Sequence, residues 1–318
     1  MNEKKILEKY FVPLSLNFRG SFFLKDDAAL LKNYNGKEYT ISVDNFIHGV
    51  HCPLNMTPKF AIKRAVLTAT SDLSAMAATP YCMFLSLSLP KKISTIKIKE
   101  IALGLKNALE VTNLKLGGGD LCSYNGPLTY NITVVGKVYK NQILKRESAK
   151  IGDLLLVTGS IGEASVGLNC LLNTSTRFLD NKEKKIAIQS FLVPPILYKF
   201  SIASRKYIRG CIDISDGLIE DVGKVALYSN CGVKIHSELI PFTKIVKKIL
   251  KKQKSSLIKL ISAGDDYELA FAASKKDIKK IKKLALKYNT KVTVIGEFIE
   301  KNGVFLDNKK VEGGYSHL

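Results

Sequence analysis

Strand-like and helix-like segments alternate along this chain, and the alternation restarts after Arg146. In the first half, residues 38–43 (EYTISV) and 128–138 (LTYNITVVGKV) are β-rich, and 81–89 (YCMFLSLSL) alternates with the period of two that a half-buried strand shows. Thr57-Pro58 pairs a capping residue with a proline at the first helical position and predicts a helix to about Ala77; 96–111 reads as another. In the second half, Leu154–Thr158 (LLLVT) is an apolar strand running into Gly159, with a helix expected from about Gly162. Residues 212–214 form a short strand before a helix at Leu218, and strands at 267–272 and 291–298 flank a basic helix at 275–287. A second Lys-rich helix is expected over 243–259. The pattern predicts a mixed α/β (α+β) chain of two domains, 1–148 and 149–318, which suits a length of 318 residues.

Composition narrows the classes. With 46% hydrophobic residues the chain has enough apolar side chains to bury real cores. No apolar run reaches the ~18 residues that a membrane span needs. The opening MNEKKILEKYF lacks the apolar stretch of a secretory signal, and the six cysteines form no C-x-x-C pair, so reduced thiols in a cytoplasmic protein are expected. The net charge is +21, but only six of the 49 basic residues are Arg, and the Lys are spread along the whole chain. Nucleic-acid binding or scaffolding is the alternative that this charge raises. No nucleic-acid signature or interleaved aromatic stripe accompanies it, so the Lys read as solvated helix faces.

In so basic a chain the isolated carboxylates carry information. Asp44 ends a strand-like run, Asp72 is the only acid between Thr57 and Thr79, and Asp120 follows three glycines in what reads as a tight turn. Asp26 and Asp27 precede a short apolar run, Asp213, Ser215 and Asp216 cluster in CIDISDGL, and Asp265 and Asp266 sit in SAGDDYEL. Each one alone fits a cap or a turn. Together they ask for cations, because like charges ~4 Å apart repel by about 4 kcal/mol at an effective dielectric of 20. Oxygen-only ligands favour Mg²⁺ over zinc or copper, and Mg²⁺ beside glycine-rich turns points to nucleotide phosphates. Neither a P-loop nor a protein-kinase signature set is present.

These residues fall in blocks with a further property. DDAAL (26–30), SVDNFIHGVH (42–51), SDLSAMAATP (71–80), GGD (118–120), GDLLLVTGSIGEASVGL (152–168), IDISDGLIEDVG (212–223), GDDYEL (264–269) and GGYSH (313–317) follow one another over nearly the whole chain. In order and spacing they resemble the thiamine-monophosphate kinase family, within the aminoimidazole-ribonucleotide-synthetase-like ATP-binding superfamily. The resemblance implies a two-domain fold whose N-terminal sheet forms a homodimer, and a soluble ATP-dependent phosphotransferase with thiamine monophosphate as acceptor. It also implies that Asp27, Ser42, Val43 (through its carbonyl), Asp44, Asp72, Asp120, Asp213 and Asp216 hold several Mg²⁺ ions. Gly119, Asp120, Arg146 and Ser215 would meet ATP, and His51, Asp265 and Tyr315 the acceptor. No residue is expected to act as a covalent nucleophile. Selenophosphate-synthetase-like or hydrogenase-maturation-like activity is the alternative within the superfamily. Those enzymes commonly carry a cysteine near one terminus, whereas the first here is Cys52 and the last Cys231. The chain departs from the family at Phe23-Leu24-Lys25, where Gly-x-Gly is usual, and at Val43, where Thr is. Its Val193-Pro194-Pro195-Ile196 lacks the usual Arg, and Asp265 replaces a Glu one methylene longer.

Overall fold

The computed structural model describes residues 37–315 apart from 140, 175 and 254–256, together with 12, 22, 23, 25, 26 and 28–32. The first sheet holds β1 (Ala29–Lys32), β2 (Lys37–Ile47), β3 (Thr79–Pro90), β4 (Lys115–Tyr124) and β5 (Thr129–Tyr139) in the order β1-β2-β5-β3-β4. All neighbours are antiparallel except β3 and β4, which are joined in parallel through a helical crossover. One face of this sheet is apolar by alternation. Leu85, Leu87 and Leu89 on β3 and Tyr130, Ile132 and Val134 on β5 all point into one core.

Two helices cover that face. Helix α2 (Thr95–Thr112) begins at Ser94, whose hydroxyl accepts from Lys97 N at 3.4 Å, and ends at Asn113 in the left-handed conformation. It buries only the stripe Ile101, Gly104, Ala108 and Thr112, the spacing of a helix with one inner face. Helix α1 (Pro58–Ala75) differs, being buried on nearly every side. Its sequence PKFAIKRAVLTATSDLSA explains how. Small residues let neighbours close in all round, and the hydroxyls of Thr68 and Thr70 return their protons to the carbonyls of Ala65 (2.9 Å) and Val66 (2.6 Å). Ala61, Ile62, Ala65, Val66, Ala69 and Leu73 face the first sheet, while Ala75 and, just past the helix, Ala77 enter a core of the second half.

The second half is a seven-stranded sheet with helices on both faces. It comprises β6 (Leu154–Thr158), β7 (Arg209–Asp213), β8 (Gly232–Ile235), β9 (Leu269–Ala273), β10 (Val292–Ile299), β11 (Gly303–Leu306) and β12 (Lys309–Val311), ordered β12-β11-β8-β10-β6-β9-β7. Helices α3 (Glu163–Leu171), α4 (Asn181–Leu192) and α6 (Leu218–Tyr228) lie on one face, and α5 (Tyr198–Ser204) and α9 (Ile278–Lys287) on the other. Between α6 and α9 in sequence, the stretch expected as a helix over 243–259 is helical at α7 (Lys244–Gln253) and α8 (Leu257–Ile261), with 254–256 outside the described residues. All six cysteines are free thiols; Cys52, Cys170, Cys211 and Cys231 are buried, while Cys82 is half-buried and Cys122 exposed.

One expectation is corrected. The glycine run before Asp120 is not a turn; Gly117, Gly118, Gly119 and Asp120 lie within edge strand β4. The glycines serve close backbone contact instead. A Cβ on Gly119 would stand 2.0 Å from the Leu85 carbonyl oxygen across the β3–β4 pairing.

The crossing of α1 and α2 offers a direct test of the packing. A Cβ on Gly104 would stand 2.2 Å from the Lys59 carbonyl oxygen and 2.6 Å from Ile62 Cγ2. Gly104→Ala should therefore destabilise the protein by about 1–3 kcal/mol despite alanine's better helix propensity. On the same helix, Ala102 is exposed, and Ala102→Gln should move stability by no more than about 0.5 kcal/mol. Denaturant unfolding of both variants against the parent checks the pair.

Candidate active site

Strand ends and helix α1 converge on a cleft of about 770 Å³ between the two halves. Asp44 reaches it from β2, Asp72 from the last turn and a half of α1, Asp213 from the end of β7, and Ser215 and Asp216 from the turn after it. His51, Asp265 and Tyr315 line the same cleft. Eight of the side chains expected from the sequence are thus neighbours, although residues 44 and 315 are far apart in the chain.

Hydroxyls hold two of the carboxylates. Ser42, on β2, donates to Asp72 Oδ2 at 2.5 Å, and Ser71, next to Asp72 on α1, donates to the buried Asp213 Oδ2 at 2.5 Å. Both bonds join separate elements, and the second crosses from the first half to the second. Asp216 is held by charge. Lys224 Nζ stands 2.6 Å from Asp216 Oδ2 and 2.9 Å from Oδ1 of Asp221. Asp221 is buried, and burial pushes its carboxyl up to about 6 against the downward pull of Lys224. Burial works to lower Lys224, but Asp221 and Asp216 outweigh it and raise the ammonium above its usual value, so it is fully charged. Asp221 Oδ2 also accepts from the backbone N–H of Asp216 (2.9 Å) and Gly217 (3.1 Å). It is therefore Asp221, and not Asp216, that secures the start of α6, leaving Asp216 at the cleft.

The loop 264–267 forms the far wall. Its backbone is pinned to the chain after β7, Asp265 N donating to Ser215 O (2.9 Å) and Tyr267 N to Ile214 O (2.8 Å). The buried Asp266 takes the Gly162 N–H on both oxygens at 2.9 Å. Glu268 accepts from Thr158 Oγ1 at 2.5 Å, and burial pushes its carboxyl up to about 7. Arg64, on α1, reaches across to Asp265 as an ion pair. Burial raises the Asp265 carboxyl, and Arg64 opposes that rise. His51 Nδ1 accepts from Ile47 N at 3.0 Å, and its ring stacks on Phe46 at 5.6 Å between centroids. Tyr315 N donates to Asp216 O at 2.8 Å, which brings a ring half open to solvent beside the carboxylates.

Other expected residues lie elsewhere. Asp120 pairs in register with Ser86 on β3, which pairs with Asn131 on β5, which pairs with Asn45 on β2. Three strand spacings, roughly 14 Å, thus separate Asp120 and Gly119 from β2. Their strand is exposed, and they are absent from the cleft lining of the single chain. Val43 is 65% exposed on the sheet face away from α1. Arg146 begins a short 3-10 turn, Arg146–Ser148; its guanidinium donates to Lys25 O (3.3 Å) and its backbone N–H to Asp26 Oδ1 (3.0 Å), away from the cleft lining. Asp27 lies outside the described residues. Sequence reading missed Arg64, Ser71, Asp221 and Lys224. Ser71 and Asp221 stand inside blocks already singled out, and Arg64 is one of six Arg, eight residues before Asp72.

The donors at the cleft are oxygens throughout on its carboxylate side, the set that suits a hard divalent cation. Among the described residues the tightest His/Asp/Glu cluster by ligand-atom spacing is a different one, His236, Glu238 and Asp307 on the surface of the second half. No described helix is long and apolar enough to cross a membrane.

The family models of AIR synthase related proteins match this chain twice, the N-terminal domain over residues 25–138 and the C-terminal domain over 150–308. The chain is 34% identical over 324 residues to the thiamine-monophosphate kinase of Buchnera aphidicola subsp. Schizaphis graminum (strain Sg), covering 100% of this chain and 99% of that relative. Its structure is similar to that of AaThiL complexed with AMPPCP and TMP, with a TM-score of 0.86, 26% identity and coverage of 100% of this chain and 99% of that one. It is also similar to thiamine-monophosphate kinase from Stenotrophomonas maltophilia K279a, with a TM-score of 0.80, 25% identity and coverage of 95% and 98%. Sequence blocks, fold and relatives agree, and the chain belongs to the thiamine-monophosphate kinase family of AIR synthase related proteins.

Proposed function

We propose that this chain transfers the terminal phosphoryl group of ATP directly to the phosphate of thiamine monophosphate, giving ADP and thiamine diphosphate. The observation that carries the reading is one cleft in which Asp44, Asp72, Asp213 and Asp216 face His51, Asp265 and Tyr315. Its relatives of matching length bear the same activity in their names. Bound Mg²⁺ ions would neutralise the phosphates of both substrates and hold the attacking oxygen in line with the terminal phosphorus. The protein's part is placement. Asp44, Asp72, Asp213 and Asp216, with Asp27, Ser42 and the Val43 carbonyl, are the ligands assigned to those ions. Ser42 and Ser71 fix the orientation of Asp72 and Asp213, and Lys224 fixes that of Asp216. Ser215, Gly119, Asp120 and Arg146 are assigned to ATP. Tyr315 offers a ring face to the cationic thiazolium of the acceptor, with His51 and Asp265 beside it. The acceptor is itself a phosphate, so no covalent carrier is required once two polyanions are held together. The six free thiols suit a reducing compartment, and we place the enzyme in the cytoplasm. The two halves, 1–148 and 149–318, then act as metal-and-nucleotide domain and covering domain.

Asp120 fits this scheme through a second copy. The sheet face away from α1 exposes Val43 (65%) and Phe84 (42%), apolar side chains that a second sheet would cover. A homodimer built there would carry Gly119 and Asp120 of one chain toward the cleft of the other.

Purified protein with Mg²⁺, ATP and thiamine monophosphate should form thiamine diphosphate. Asp44→Asn and Asp72→Asn, each nearly isosteric, should lower kcat on the order of 10³-fold with little change in Tm. An unchanged kcat with a shifted Tm would mean that these carboxylates only support the fold. Tyr315→Ala should raise the KM for thiamine monophosphate roughly 5–30-fold and leave ATP binding alone, as expected for a cation–π contact of about 1–2 kcal/mol. Equal losses for both substrates would make Tyr315 a packing residue. Mixing inactive Asp44→Asn and Asp120→Asn proteins under conditions of subunit exchange should restore about a quarter of parental activity, because half the dimers then hold one intact site. No recovery from a dimer that demonstrably exchanges would place Asp44 and Asp120 in the same chain's site.

A further inference from the structure

Arg64 is buried behind the cleft, at 1% exposure, and it sits on a helix of the first half while its ion-pair partner Asp265, which lines the cleft, sits on a loop of the second. Its guanidinium also donates to the Phe191 carbonyl, lies 3.8 Å from the centre of the Phe191 ring and stands 5.5 Å from that of Tyr267. One planar cation therefore gathers three segments: α1, the end of α4 and the loop 264–267. Only arginine can do all of this at once, because it stacks flat and donates in its plane.

The loop it meets is held in an unfavourable backbone state. Asp265 (φ 68°) and Tyr267 (φ 51°) are both non-glycine residues in the left-handed region. Such conformations persist only when surrounding contacts over-determine them, and here the backbone bonds to Ile214 and Ser215 and the Arg64 ion pair supply those contacts. Asp265 keeps 26% of its side chain exposed, on the cleft, while its Oδ1 is engaged by Arg64. The carboxylate is thus anchored from behind and presented in front.

The same helix carries the other side of the reaction. Thr68 and Asp72 follow Arg64 at steps of four and eight residues, on one stripe of α1, and both line the cleft. The rise of a helix sets Arg64 and Asp72 about 12 Å apart along a rigid rod. We propose that Arg64 is a positioning residue for the acceptor: it fixes the Asp265 carboxylate relative to Asp72, so that one helix sets the separation of the acceptor's polar group from the metal-bound phosphates. The proposal rests on the kinase reading above. It specifies that Arg64 acts through Asp265 and never touches substrate.

The test separates acceptor recognition from general folding. Arg64→Met keeps length and bulk without charge, Arg64→Lys keeps charge without the planar fork, and Asp265→Asn removes the partner's charge. With ATP and thiamine monophosphate varied separately, Arg64→Met should raise the acceptor KM roughly tenfold or more and change the ATP KM by less than about twofold. Arg64→Lys should lie between parent and Arg64→Met. The double variant Arg64→Met/Asp265→Asn should be no worse for the acceptor than Asp265→Asn alone, since the arginine acts through that carboxylate. Equal changes in both KM values, an unchanged acceptor KM, or multiplying effects in the double variant would each overturn the proposal. If Arg64→Met fails to fold, Arg64→Lys and Asp265→Asn with their double variant decide the same question by the same comparison. Parental protein that makes no thiamine diphosphate would instead remove the kinase reading and this inference with it, a result distinct from an active parent indifferent to Arg64.

Discussion

The all-round burial of α1 is the constraint on which the rest of this structure depends. A helix with one apolar stripe can lie on a sheet and face water, as α2 does. A helix buried on nearly every side must be wrapped, and here the wrapping elements are the first sheet, α2, α4, α5 and β7. The two halves therefore share this helix as a common wall. Three polar bonds then fix it to strands and loops around it: Ser42 to Asp72, Ser71 to Asp213, and Arg64 to Asp265. Each involves a carboxylate at the cleft, and the last two cross between the halves, so contacts that hold the halves together also place the site.

That arrangement explains what could be read from the amino-acid order. Strands with a strict period of two, such as β3, and helices opened by a capping pair, such as α1 after Thr57-Pro58, carry their own signals and were legible. So were Asp44 and Asp72, as isolated acids in a basic chain, and Asp213 and Asp216, as a cluster with Ser215. The run Gly117, Gly118, Gly119 was misleading. Glycine has no side chain to signal a strand, and β4 exists through its pairing with β3, a tertiary fact. Arg64 was illegible for a different reason. A cation in a chain with 49 basic residues looks like surface, and only the folded chain encloses this guanidinium with Phe191, Tyr267 and Asp265. Lys224 was hidden in the same way, its role set by the buried Asp221 one turn before it.

Electrostatics gives the basic composition a local meaning. The cleft gathers acids, and in a medium of low dielectric their mutual repulsion would raise their proton affinity. The protein offsets it with one cation on each side, the buried Arg64 at Asp265 and the half-buried Lys224 at Asp216 and Asp221. Most other lysines serve no such purpose; those of α9, for example, form a solvated face while Ile281 and Ala285 face the core. The two internal cations differ in kind as their tasks do. Arg64 is stacked and planar, suited to a fixed carboxylate, whereas Lys224 is a flexible point charge beside an Asp assigned to exchangeable metal.

The first sheet ends this chain of dependence because it is finished on one face only. Its inner side is packed against α1 and α2, while its outer side exposes Val43 and Phe84, and its edge strand β4 is almost wholly exposed. An open edge and an apolar face on one sheet are costly for a monomer in water. The same strand bears Asp120, displaced by three strand spacings from β2. A chain that only needed to hide apolar surface could have made β4 polar and short. Keeping ten residues of it, with glycines close-packed on Leu85 and an acid on the outer row, fits a strand shaped to meet another surface. The proposed dimer thus answers two separate demands, burial of the outer face and delivery of Asp120, with a single contact.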